Sequence, residues 1–141
     1  MSMLLEIHPE PGFLHVLATG IFSLEEAKRT FLQLLEAIAL HQSNKALVDG
    51  RNLVGEPTTM ERFYYGDFAA QTVASFAKRG APRAIQFAYV LREPVLDQRR
   101  FGETVAANRG MWVKMFDSHE EALLWLGIPP ANKADASDTV R

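Results

Sequence analysis

The 141-residue sequence contains no cysteine, which excludes a disulfide framework, a thiolate metal site and a cysteine nucleophile. It also lacks any apolar run near the roughly 20 residues that a membrane helix needs, and its first residues do not resemble a signal peptide. Its charges nearly balance, since 15 Lys and Arg against 17 Asp and Glu give a formal net charge of −2. A typical nucleic-acid-binding domain is far more basic. We therefore expect a soluble cytoplasmic domain with no membrane span and no nucleic-acid partner.

The sequence also has few features of an enzyme. It contains no Gly-x-Ser-x-Gly elbow, no phosphate-binding P-loop and no dinucleotide-binding glycine fingerprint. The four histidines (His8, His15, His41 and His119) are far apart, without the close spacing of metal ligands. We expect no metal, no cofactor and no catalytic activity.

What the sequence does contain is an ordinary globular composition, with 48% hydrophobic and 23% charged residues. The length fits one domain. Pro129 and Pro130 are followed by residues without apolar periodicity. The prediction is one folded domain over 1–128 and a flexible tail over 129–141.

Apolar periodicity and capping residues predict four helices and five strands. The helices are expected over Leu24–His41, Thr59–Lys78, 95–108 and 118–127. The strands are expected over 3–7, 13–18, 46–48, 84–91 and 111–116, with Asp49 and Gly50 ending the third. Because the first connector is too short for a parallel crossover, the first two strands form a hairpin. The alternation that follows predicts an α/β fold with a mixed, mostly parallel sheet.

Three short motifs lie at the joints of these elements. They are Gly20-Ile21-Phe22-Ser23, Leu47-Val48-Asp49, and Phe116 followed by Ser118–Gly127 with Glu121, Ala122, Trp125 and Leu126. With the order of the elements, they resemble the STAS/SpoIIAA-like family, the sulfate-transporter and anti-sigma-factor-antagonist fold, over roughly residues 3–128. The resemblance implies a single-domain α/β fold of about five strands and four helices that binds a protein partner or a small ligand and has no established reaction.

One departure from the family concerns phosphorylation. Its anti-sigma-antagonist members carry a phosphorylatable serine directly after the aspartate that ends the third strand. Here Gly50 and Arg51 follow Asp49, and no serine lies between Asn44 and Ser75. The phosphorylation switch therefore does not carry over, and the sequence more closely resembles the uncharacterised branch of the family.

The first candidate site is the end of the third strand, where open α/β sheets place ligands. In a functional interpretation Arg51 contacts an anion and Asp49 accepts a hydrogen bond. In the alternative, Asp49 caps the turn and pairs with Arg51 or Arg62.

The second candidate site is the start of the second helix, where Thr58 and Thr59 precede exposed amides that could receive an anion or a phosphoryl group. Either threonine is a hypothetical substitute for the missing serine. The alternative is that Thr58 only caps the helix, with Glu61 at capping-box spacing.

The third candidate site is a group of aromatic residues on the second helix. Phe63, Tyr64, Tyr65 and Phe68 cannot all face inward from one helix. The surplus predicts a groove, a pocket between this helix and the sheet, or a homodimer interface; plain core packing is the alternative.

Three functions follow from these features. The favoured one is a non-enzymatic interaction or regulatory module that binds a protein partner. The first alternative is a carrier or sensor of a small apolar or anionic ligand, and the least favoured is an enzyme that uses Asp49 or the tyrosines. The predicted binding residues are Asp49, Arg51, Thr58, Thr59, Arg62, Tyr64, Tyr65 and Phe68.

Overall fold

A computed structural model of the chain describes residues 2–129. It shows one five-stranded sheet and four helices in the predicted order. Across 2–129, none of the helices has the length and apolar character needed to cross a membrane. The predicted tail over 129–141 lies outside the described residues except for its first residue. The elements are β1 (Leu4–Glu10), β2 (Phe13–Ile21), α1 (Leu24–His41), β3 (Lys45–Val54), α2 (Thr59–Lys78), β4 (Gln86–Val90), α3 (Phe101–Asn108), β5 (Trp112–Phe116) and α4 (His119–Leu126).

The sheet has the strand order β1-β2-β3-β4-β5, with β1 antiparallel to β2 and every later neighbour parallel. The predicted hairpin and mostly parallel sheet are confirmed. Each crossover advances one position in the same direction, so α1, α2 and α3 lie together on one face of the sheet. The helix α4 packs on the opposite face.

Strand residues alternate between two hydrophobic cores. On β3, Ala46 and Val48 belong to the larger core under α1 and α2, whereas Leu47 points to the smaller core under α4. On β4, Tyr89 faces the larger core and Val90 the smaller one.

The predicted end of the third strand at Asp49 and Gly50 is wrong, because β3 continues to Val54. The register against β2 shifts within this stretch, where Leu17 pairs with Asp49 but Thr19 pairs with Asn52. Glycine inside a strand often marks a β-bulge or a close approach. A Cβ on Gly50 would lie only 2.7 Å from a methyl carbon of Leu91.

The predicted third helix over 95–108 is also partly wrong, since α3 begins only at Phe101. The residues before it form a folded loop, 92–100, whose apolar side chains Val95 and Leu96 are buried. The Asp97 carboxylate accepts hydrogen bonds from the backbone N–H groups of Arg99 and Phe101. Arg100 has a left-handed φ of 54° that separates the loop from the helix.

Candidate functional site

An apolar cavity of about 90 Å³ lies between the sheet and the helices α1 and α2. Its walls come from all five strands, from α1, α2 and Gly102 of α3, and from the loop 92–100. This volume is several times the roughly 10–15 Å³ that one water molecule needs. Residues that line it include Val16, Ala18, Phe31, Leu34, Val48, Leu53, Leu91 and Val95, together with the polar side chains Thr30, Arg62, Tyr65, Tyr89 and Asp97.

A pair of tyrosines supplies the buried polar group of this cavity. The hydroxyl oxygens of Tyr65, on α2, and Tyr89, on β4, are 2.8 Å apart and share a hydrogen bond. The Tyr65 ring packs edge-on against Phe31 at 6.0 Å between centroids. Burial raises the pKa of Tyr65 to about 12 and raises that of Tyr89 well above 10. Both phenols therefore stay protonated at neutral pH.

Arg62 joins α2 to the loop that forms the rim of the cavity. Its guanidinium donates to the carbonyl oxygens of Val95 at 2.7 Å and of Pro94 at 2.8 Å. Backbone N–H groups, that of Phe101 above all, lower the pKa of Asp97, and the positive charge of Arg62 adds to this effect. The rim of the cavity therefore carries a positive charge on Arg62 and a negative charge on Asp97.

Asp49 and Arg51 do not belong to this cavity. Asp49 is on the same face as Leu47, toward α4, and makes a two-point ion pair with Arg51 at 2.7 and 2.9 Å. Burial raises the pKa of the Asp49 carboxyl, but the hydrogen bonds and charge of Arg51 outweigh burial and leave it below its usual value. The geometry matches the structural alternative, in which the two side chains satisfy each other.

No protein-family model matches the sequence, and a search of curated proteins gives no match. Solved structures do match. An anti-sigma factor antagonist from Mycobacterium paratuberculosis superposes on 89% of this chain and 94% of its own, with a TM-score of 0.55 and 14% sequence identity. The chain has the STAS/SpoIIAA-like fold. An uncharacterized protein of the DUF3478 family with a SpoIIAA-like fold, from Shewanella loihica PV-4, gives a TM-score of 0.48 at 17% identity, with the same shares covered.

In this SpoIIAA-like fold, Thr58 has a capping role at the start of α2. Its hydroxyl accepts from the Glu61 N–H at 3.1 Å, and the Glu61 carboxylate accepts from the Thr58 N–H at 2.8 Å. This carboxylate already occupies the positive end of the helix, where an anion would otherwise bind. Thr59 is exposed.

The four aromatic residues of α2 are divided between the interior and the surface, as expected because they cannot all face inward from one helix. Tyr65 faces the cavity, whereas Tyr64 is 47% exposed and stacks edge-on against Phe63 at 5.5 Å. Phe68 is half-buried beneath the ammonium group of Lys28, 5.4 Å from its ring centroid. Of the predicted residues, only Arg62 and Tyr65 therefore meet at the cavity.

Two residues of the candidate site have no counterpart in the sequence-based predictions. The sequence places Tyr89 in a mostly apolar strand, where its hydroxyl is the signal of a polar role. It places Asp97 in a helix, although an aspartate three residues after Pro94 favours a turn.

The histidines also come closer together than their spacing suggests. The rings of His15 and His119 stack at 5.8 Å on the α4 face, and His8 lies 6.4 Å from His15. Even so, no group of three potential ligands within 2–129 has the geometry to hold a metal ion.

Proposed function

We propose that the protein is a non-enzymatic binding module that holds a small, mainly apolar ligand in the cavity between α1, α2 and the sheet. The observation that carries this proposal is the apolar cavity itself, whose few polar side chains are the tyrosine pair, the buried Thr30 and the charged rim. Ligand sites commonly combine an apolar lining with a few placed polar groups. Phenols with raised pKa values suit hydrogen bonding to a ligand better than proton abstraction at neutral pH. We also propose a cytoplasmic location.

The test is chemical analysis of the protein purified from its native cells. Organic extraction and mass spectrometry should find a small apolar compound bound to the wild type. The variant Ala18→Ile adds three carbon atoms to the cavity wall and should carry none, because Ala18 is buried and lines the cavity. Thr19→Ile is the matched control, since the next residue of β2 points to the opposite face. A wild type that carries no more compound than Ala18→Ile would contradict the proposal.

A protein partner is the second candidate function. It is supported by the likeness to an anti-sigma factor antagonist and by two exposed side chains at adjoining strand ends. Ile21 and Val54 are register partners and are 48% and 55% exposed. A partner recovered by the wild type and lost with Ile21→Lys and Val54→Lys combined would support this function, and equal recovery would count against a partner at this surface.

We further propose a homodimer that uses the outer face of α2. The exposed ring of Tyr64 is of the kind that interface cores favour. Tyr64→Lys should shift a dimer to monomer in sedimentation equilibrium without unfolding it. Tyr65→Lys is not a valid test, because it would place a charge in the core. A wild type that is monomeric at high concentration would exclude the dimer.

A further inference from the structure

The hydroxyl groups of Tyr65 and Tyr89 have two protons to donate, and the protein provides an acceptor for one of them. Each phenol carries one O–H donor. The single hydrogen bond between Tyr65 and Tyr89 uses one of the two protons. Neither hydroxyl has another hydrogen-bond partner among residues 2–129, so one O–H group lacks an acceptor there. Tyr89 is only 7% exposed, and a buried donor without an acceptor is costly.

Both tyrosines line the cavity, and they also border a smaller apolar space of about 10 Å³ beside α3. The smaller space is no larger than one water molecule needs, so the cavity is the place where a ligand has room to accept the spare proton. The other polar side chains on the lining already have partners in the protein. The Thr30 hydroxyl donates to the Ala27 carbonyl at 3.1 Å, and Arg62 and Asp97 hold the backbone of the rim.

We infer that the ligand is a neutral, mainly apolar molecule with one hydrogen-bond-accepting oxygen, such as a ketone, an ester or an ether. The oxygen would accept the free phenol proton while the apolar part fills the cavity. This inference rests on the proposed function and names its ligand class.

A neutral acceptor suits the cavity better than an anion. An ion would lose its hydration among apolar side chains, and such a loss is recovered only by a close opposite charge. Among residues 2–129, Arg62 is the one cation on the lining, and it is engaged with two carbonyl oxygens beside the carboxylate of Asp97.

The experiment compares two ligands of the same shape in three variants. Cyclopentanone carries an acceptor oxygen where methylenecyclopentane carries a CH₂ group. Their dissociation constants can be measured from the methyl NMR signals of Leu34 and Val95, which line the cavity. The variants are Tyr65→Phe, Tyr89→Phe and the double variant, which removes both hydroxyls together and leaves no orphan donor.

The double variant should weaken cyclopentanone binding about 5–10-fold and change methylenecyclopentane binding less than about twofold, the loss expected for one hydrogen bond. Each single variant should keep most of the ketone affinity, because the remaining phenol still has a proton to donate. Equal losses for both ligands in the double variant would overturn the inference and leave the proposed function standing. Binding of neither ligand to the wild type would overturn both.

Discussion

His119, the first residue of α4, lies where its charged form is disfavoured. Burial is the main cause that lowers its pKa below 6.5, and the neighbouring Arg51 and His15 act in the same direction. Asp49 and Glu120 oppose them. Because the unfolded chain binds a proton more readily at this position, the stability that neutral His119 contributes is complete above about pH 6.5. It is lost as the pH falls below that value.

This predicts a specific pH dependence. The free energy of unfolding in urea should fall for the wild type between pH 7.5 and pH 5.5, and it should fall less for His119→Asn. The lowered pKa of Asp49 acts only at more acidic pH, below its usual value of 3.8, so it does not interfere. An equal fall for the two proteins would show that His119 does not titrate in this way.

The site residues differ in how far the sequence could identify them. The aromatic surplus on α2 correctly indicated that its rings divide between interior and surface. The sequence could not show which face of β3 Asp49 occupies, because a strand buried on both sides has no polar alternation to fix its orientation. The structure places Asp49 toward α4 and Tyr65 in the larger core on the other side of the sheet.

The helices α2 and α3 approach each other closely at Gly66, a glycine of α2. A Cβ on Gly66 would lie 2.7 Å from the carbonyl oxygen of Gly102 and 3.3 Å from side-chain carbons of Val105. Gly66→Ala should lower the free energy of unfolding by about 1–3 kcal/mol, because the overpacking outweighs the gain in helix propensity. Urea denaturation measures this change.

The facing glycine provides the control. A Cβ on Gly102 would be 3.5 Å from the Arg62 carbonyl oxygen, which is ordinary contact. Gly102→Ala should therefore leave the stability unchanged or raise it by up to about 1 kcal/mol. A Gly66→Ala variant as stable as Gly102→Ala would contradict this account of the helix pair.

Arg62 contacts the rim loop 92–100 through a part-buried hydrogen bond to the carbonyl oxygen of Val95 and an exposed one to that of Pro94. Arg62→Met keeps the apolar stem and removes both bonds, and a hydrogen bond from a charged donor is worth about 1.5–3 kcal/mol, less where water competes. The amide of Leu96, which donates to the Arg92 carbonyl at 2.8 Å, should then exchange its hydrogen at least about tenfold faster.

Arg99→Met tests whether this effect is specific. Arg99 is an exposed arginine of the same loop, and its side chain makes no hydrogen bond within 2–129. Exchange at Leu96 should be unchanged in this variant. Equal acceleration in both variants would mean that Arg62 does not hold the loop.

The sequence predicts the bounds of a helix correctly where several local signals agree. The bounds of α1 and α2 are those predicted, because an N-capping side chain and a long apolar stripe mark both helices. The sequence misplaces the start of α3, since Leu96 extends the apolar series of Phe101 and Val105 but is buried, with Val95, in the loop that precedes the helix. The sequence does not reveal the extension of β3, because Asp49-Gly50 has the composition of a turn, whereas in the structure the register shifts there and the strand continues.

For the whole molecule, element order was enough to predict the sheet. Successive crossovers between neighbouring parallel strands place three helices on one face, which leaves α4 to cover the other. The cavity could not be predicted in the same way. Its volume depends on how side chains from all five strands, α1, α2 and the loop 92–100 fail to fill the space beneath α1 and α2.

The proposed ligand site is an apolar chamber that a small molecule can enter. Xenon occupies such chambers in proteins without needing hydrogen bonds. A crystal of the wild type pressurised with xenon should show a bound atom among Leu34, Tyr65 and Val95, and a crystal of Ala18→Ile should show none there. A wild-type crystal with no xenon at this position, its lining side chains closed over the space, would contradict the account.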